Sequence, residues 1–120
     1  HATYPDDTLR RLETMAMMSD VKMPLAALRS QVASAIQIIV QTSRFNDGSR
    51  KLTHIVECLG LDAAGEYIIH PLFEFKHRGY EPGTGKVLGE MEALGNIPTF
   101  KEAILSRGME YDDNWFRPPQ

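Results

Sequence analysis

Three features are scarce or absent in this sequence: cysteine pairs, long apolar runs and a phosphate-binding loop. Cys58 is the single cysteine among 120 residues, so the chain cannot form an internal disulfide, which favours a reducing compartment. No apolar run approaches the roughly 20 residues that cross a bilayer as a helix. The sequence therefore argues against a disulfide-stapled scaffold and against a membrane-spanning helix within these residues.

Residues 83–86 (Gly-Thr-Gly-Lys) superficially resemble a phosphate-binding loop. That motif requires a glycine five positions before its Gly-Lys pair, where this chain has Tyr80. It also requires a serine or threonine after the lysine, where the chain has Val87. We therefore expect an ordinary turn-rich loop here and no nucleotide site.

Charge and histidine spacing predict neither a nucleic-acid partner nor a metal site. The chain has 13 basic and 16 acidic residues and a net charge of −3, without the basic patch typical of nucleic-acid binding. No histidine has partners at the spacing of metal ligands. His54 and Glu57 are three residues apart on a predicted strand, so we expect them on opposite faces.

The order of periodic segments predicts an α+β fold: N-terminal helices, a mostly antiparallel meander of three to four strands and a C-terminal helix. A first helix begins near Pro5, where two aspartates favour the positive end of the helix dipole. Its apolar stripe includes three methionines, which we expect to be core residues. A second helix begins at Pro24. Strands are predicted at residues 36–40, 50–59, 67–75 and 86–92, and a closing helix at residues 98–105.

Two local signals refine the predicted sheet. Residues 46–49 (Asn-Asp-Gly-Ser) predict a tight hairpin between the first two strands. Pro71 lies inside the third strand and cannot donate a hydrogen bond to a neighbouring strand. That strand is therefore expected to be an edge strand or to contain a bulge.

Several stretches together resemble one protein family. Residues 1–13, from His-Ala through Pro-Asp-Asp to Arg-Leu-Glu, resemble the histidine box of type II/IV secretion ATPases, although Thr3-Tyr4 replace the usual Asn-Ser. Residues 24–35 are similar to the next helix of that family, and residues 38–60 to its hairpin. The nearest branch is the tight-adherence (Flp) pilus assembly ATPases, which Gly89, Gly95, residues 98–100 and Gly108 also resemble.

The resemblance implies that residues 1–120 are a single partial domain, the C-terminal portion of a RecA-like P-loop ATPase core. The parent would be a hexameric motor at the cytoplasmic face of the inner membrane, using ATP and Mg to drive secretion or pilus assembly. Its partners would be the rest of the ATPase, neighbouring hexamer subunits and inner-membrane components. The family's phosphate loop and Mg-binding carboxylates would precede His1, so we expect no cofactor, no metal ligand and no ATPase activity in this chain alone.

Of the family's active-site residues, only the histidine of the box maps onto this chain, as His1. The resemblance places it near the terminal phosphate, where it would act as a catalytic residue. Arg11 matches the arginine of Arg-Leu-Glu, which implies either a nucleotide or subunit contact or a packing or ion-pair role near Glu13.

In the family these strands extend a sheet whose central parallel strands lie in the missing half. We therefore expect the isolated chain to expose a sheet edge and to self-associate. The alternative hypothesis is a stand-alone protein-interaction module without catalytic activity, which would bind a partner through its sheet.

Overall fold

The computed structural model describes residues 4–19 and 22–119. Two helices come first, then four strands, a short helix and a final 3-10 turn. Their bounds are α1 Pro5–Met17, α2 Leu25–Ala35, β1 Ile38–Arg44, β2 Arg50–Leu61, β3 Tyr67–Tyr80, β4 Val87–Ala93, α3 Lys101–Ser106 and the 3-10 turn Asp113–Phe116. None of the helices in the described ranges is long and apolar enough to cross a bilayer.

The four strands form one antiparallel sheet in the order β1-β2-β3-β4. Each strand pairs with the next along the chain, so the sheet is a meander whose edges are β1 and β4. The predicted α+β fold, with N-terminal helices and a C-terminal helix, is confirmed. The observed strands extend beyond most of the predicted ones, and β3 reaches Tyr80.

The helices cover one face of the sheet and build a small core there. Pro5 begins α1, and Asp6 and Asp7 lie in its positively polarised first turn. Leu9 is fully buried against Ile39 of β1 and Val56 of β2. The rest of the cluster comes from half-buried residues of the helices and strands: Leu12, Val32, Ile36, Cys58, Tyr67 and Ile69.

A bulge in β3 changes which face of the sheet the side chains of its second half point to. Ile55 pairs with Phe73, whereas the next residue, Val56, pairs with Pro71, which leaves Leu72 as an extra residue in β3. The sequence predicts that side chains from Tyr67 to Phe75 alternate between the two faces of the sheet, and the bulge interrupts this alternation. Because β3 is an inner strand, the edge alternative for Pro71 is wrong and the bulge alternative is confirmed.

The C-terminal segment packs on the face opposite the helices. Phe116 is buried, with its ring centroid 5.5 Å from that of Phe73. Glu57 of β2 accepts hydrogen bonds from the backbone N–H of Thr99, at 2.9 Å, and from its hydroxyl. His54 instead lies on the helix side beside Glu74. The prediction that His54 and Glu57 occupy opposite faces is confirmed.

The methionines at and just after the end of α1 are not core residues. Met15, Met17 and Met18 are 58%, 57% and 82% exposed, so the prediction that they extend the core is wrong. The α1 stripe that reaches the sheet is narrower and includes Leu9 together with a buried carboxylate, Glu13. The methionines follow at the far end of α1, beyond the part of the helix that packs on the sheet.

Candidate functional site

The family resemblance predicts functional roles for two residues, His1 and Arg11. His1, the expected catalytic residue, lies outside the described residues. Arg11 lies on the exposed side of α1 and forms no ion pair with another described residue. Its neighbour Arg10 is held instead by Asp6, at 2.9 Å, and by Glu66, at 3.4 Å. The expected ion pair near Glu13 therefore does not involve Arg11.

The structure brings together a different group, centred on Glu13 of the Arg-Leu-Glu motif. Arg29 of α2 binds this carboxylate through two nitrogens, Nε at 2.7 Å from Oε1 and Nη2 at 3.2 Å from Oε2. Tyr67 of β3 donates its hydroxyl to the same Oε1. Arg29 also lies over the Tyr67 ring, with Cζ 5.7 Å from the ring centroid. One carboxylate thus joins α1, α2 and the sheet.

The protonation states of this group depend on one another. The hydrogen bond from Arg29 lowers the pKa of Glu13 and outweighs the opposing effect of burial. The same bond raises the pKa of Arg29. Burial and the bond to the carboxylate raise the pKa of Tyr67. Glu13 is therefore an anion and Tyr67 a neutral donor at neutral pH, an arrangement that suits a structural link better than proton transfer.

A cleft of about 470 Å³ opens between the start of α1 and the sheet. Tyr4 and Asp6 line its helix side, and His54 and Glu74 line its sheet side. The His54 ring lies 3.9 Å from Glu74, through Nε2, and 3.0 Å from the Thr53 hydroxyl, through Nδ1. The floor is apolar, so the cleft combines apolar walls with polar groups at its rim.

The acidic groups at the rim already have partners within the chain. Asp6 pairs with Arg10, and Glu74 lies 3.3 Å from Lys76. In the part of the chain that the structure describes, no three His, Cys, Asp or Glu side chains are arranged to hold a metal ion. We assign no catalytic step to the cleft.

The glycine-rich segment at residues 83–86 is the hairpin loop between β3 and β4. The N–H of Glu81 donates to the Lys86 carbonyl, and the Gly85 N–H donates to the Glu81 carbonyl. Thr84 donates its hydroxyl to the Glu81 side chain at 2.8 Å. A strand follows the loop, whereas a phosphate-binding loop leads into a helix, so the expectation of an ordinary loop is confirmed.

Sequence reasoning missed the roles of Glu13 and Arg29. The available signal was a carboxylate four residues after Leu9, on the apolar stripe of α1, where an acidic side chain needs a partner.

Compared with models of known protein families, the chain matches none, and no curated protein is significantly similar to it.

Proposed function

We propose that this chain is the C-terminal portion of a hexameric ATPase motor that powers type II/IV secretion or pilus assembly. The observation that carries the proposal is the ordered series of motifs, from the histidine box at residues 1–13 to Gly108. The parent motor would act in the cytoplasm at the inner membrane, bind ATP and Mg, and have a RecA-like core. By itself this chain would be inactive, because its sequence contains no phosphate loop to position the terminal phosphate.

Two features of α1 are consistent with this role. The Glu of Arg-Leu-Glu is directed inwards, where its bonds to Arg29 and Tyr67 hold α1 against α2 and the sheet. Arg11 lies on the exposed side of the same rigid helix, with no acidic partner among the described residues. An exposed guanidinium on a rigid helix is suited to contact a nucleotide or a neighbouring subunit in the assembled motor.

The reading frame upstream of His1 provides the first test. A Gly-x-x-x-x-Gly-Lys-Ser/Thr motif ahead of His1, in a longer protein that hydrolyses Mg-ATP, would support the proposal. An upstream frame without this motif would overturn it. In calorimetry, the 120-residue chain alone should bind no Mg-ATP at concentrations up to about 1 mM. Micromolar binding would contradict the claim that the nucleotide site lies elsewhere.

Arg10 and Arg11 provide a matched pair for testing the site in the longer protein. Arg11→Ala should lower kcat/KM for ATP by about tenfold or more, because it removes a cation from the nucleotide or the subunit contact. Arg10→Ala should change it less than about twofold, because Arg10 is already paired within the chain. His1→Ala should lower kcat by about 100-fold. Equal effects of the two arginine variants would rule out the assigned role of Arg11.

The second candidate is a stand-alone interaction module that binds a partner through its sheet. The observation that favours it is the β1 edge, where Ile38 and Val40 are 40% and 54% exposed. This candidate requires no phosphate loop upstream, so the reading frame distinguishes it from the motor.

A further inference from the structure

The two edge strands of the sheet, β1 and β4, differ in how they are protected from pairing with another chain. At the β4 edge, Glu90 and Glu92 place charges along the strand, and the N–H of Val87 is bonded to Asp47 at 2.8 Å. Residues 38–43 of β1 contain no charged residue, proline or glycine. Charges and proline are the usual means by which proteins prevent an edge strand from pairing with another chain. Residues 38–43 of the β1 edge have neither, and Arg44 is the one charged residue of this strand.

The backbone groups at the β1 edge can be assigned from the pairing register. The N–H of Cys58 donates to the Gln37 carbonyl at 2.8 Å, and Ile39 is paired with Val56. In an antiparallel ladder, hydrogen-bonded pairs alternate with pairs whose polar groups are directed away from the neighbouring strand. Ile38 and Val40 therefore direct their N–H and C=O groups outwards, away from β2.

The side chains of these residues are exposed on the face opposite the helices. Ile38 and Val40 are 40% and 54% exposed, and Leu52 of β2 continues the apolar surface at 42%. Ile39 and Gln41, between them, are buried. A strand added at this edge would satisfy the outward backbone groups and would cover part of this apolar surface.

We propose that the occupant is the β1 strand of a second copy of this chain, antiparallel about a two-fold axis through Val40. The arrangement is self-complementary because it pairs Val40 with Val40 of the second copy and Ile38 with Thr42 of the second copy, all β-branched. The two Val40 residues pair through their outward backbone N–H and C=O groups. In this register, Arg44 does not lie opposite Arg44 of the second copy. The result is a continuous eight-stranded sheet with a closed, isologous interface.

Light scattering of the purified 120-residue chain tests the proposal. The mass should rise from monomer to dimer as the concentration increases over about two orders of magnitude. Val40→Lys should remain monomeric, because it places two ammonium groups opposite each other on the axis. Leu88→Lys is the control on β4, where Leu88 is 39% exposed, and it should dimerise like the original chain. Circular dichroism should show the same fold for all three proteins.

A crosslink tests the interface without relying on the folding of Val40→Lys. In a Cys58→Ser background, Val40→Cys should form an intermolecular disulfide, because a hydrogen-bonded antiparallel pair has a Cα–Cα distance of about 5.5 Å. Leu88→Cys in the same background should not. A wild-type chain that stays monomeric, forms species larger than a dimer, or dimerises without the Val40 crosslink would overturn the proposal. None of these results would affect the motor assignment, which depends on motif order and ATP hydrolysis.

Discussion

At the residue scale, the buried carboxylate of Glu13 connects α1 to α2 and to the sheet through Arg29 and Tyr67. A carboxylate on the buried side of an amphipathic helix must have partners, and this much could be predicted from its spacing to Leu9. The partners themselves could not, because Arg29 and Tyr67 are 16 and 54 residues away in sequence. Only the packing of α2 and β3 brings them to the same oxygen.

Removing either partner of Glu13 should destabilise the fold to different degrees. Tyr67→Phe should lower the free energy of unfolding by about 1–2 kcal/mol, because Glu13 loses one hydrogen bond and keeps Arg29. Arg29→Met should cost more, because it leaves a buried anion without its cation. Urea unfolding followed by circular dichroism measures both changes. Tyr80→Phe is the control, since Tyr80 is 52% exposed, and it should have little effect. A fully stable Arg29→Met would contradict the structural role.

Asp47 should make stability depend on acid pH. Hydrogen bonds from Ser49 and from the backbone of Val87 lower its pKa from 3.8 to about 2. A carboxyl whose pKa is lower in the folded state stabilises the protein above the unfolded pKa and loses that effect as pH falls towards 2. Asp47→Ala should therefore be less stable than the original chain at pH 7, and the difference should shrink between about pH 4 and pH 2.

Thermal unfolding at a series of pH values measures this difference. Asn46→Ala is the control in the same turn, since this residue does not titrate. Its difference from the original chain should not depend on pH. An Asp47→Ala difference that stays constant down to pH 2 would show that the carboxylate does not secure the turn to β4.

At the element scale, β3 shows which part of a strand the sequence can predict. The strand itself and its perturbation at Pro71 could be predicted from residue types. The precise bulge at Leu72 depends on the pairing of Val56 with Pro71, a relation between two strands. Because of this bulge, Tyr67 and Ile69 pack under the helices, whereas Phe73 contacts Phe116 on the other face.

Gly89 allows β4 to approach β3 closely, and a substitution tests this contact. A Cβ at this position would lie 2.3 Å from the Lys76 carbonyl oxygen and 2.7 Å from the Phe75 ring, at φ +148°. Gly89→Ala should therefore lower the free energy of unfolding by about 3 kcal/mol. Gly108→Ala is the control, with φ +69° and no atom within 4 Å, and should cost about 1 kcal/mol. If urea unfolding showed that both variants lose the same free energy of unfolding, the steric explanation would be wrong.

At the scale of the whole molecule, the C-terminal segment packs on the face of the sheet opposite the helices, so the sheet lies between two layers. Glu57 binds Thr99, and the Gly95 N–H donates to the Phe116 carbonyl at 2.9 Å. These contacts join residues far apart in sequence, so the helices, sheet and C-terminal segment should unfold as one cooperative unit.

Phe116 provides the test of this cooperativity. Phe116→Ala should lower the free energy of unfolding by about 3–4 kcal/mol, because the side chain is buried against Phe73. Trp115 is 49% exposed, and Trp115→Ala should cost less than about 1 kcal/mol. In the original chain, Trp115 fluorescence and far-UV circular dichroism should report the same transition. Separate transitions would show that the C-terminal segment is not part of the cooperative unit.

The class and order of the elements could be predicted from the amino-acid sequence alone, because helix starts, strand periods and turn residues act over a few neighbouring positions. The ordinary loop at residues 83–86 could be predicted in the same way. Tertiary structure decided which residues act together: Glu13 with Arg29, Asp47 with Val87, and Phe73 with Phe116. It also decided that the α1 methionines are exposed and that β1 is an unprotected edge. These properties depend on contacts between distant segments, which local patterns do not encode.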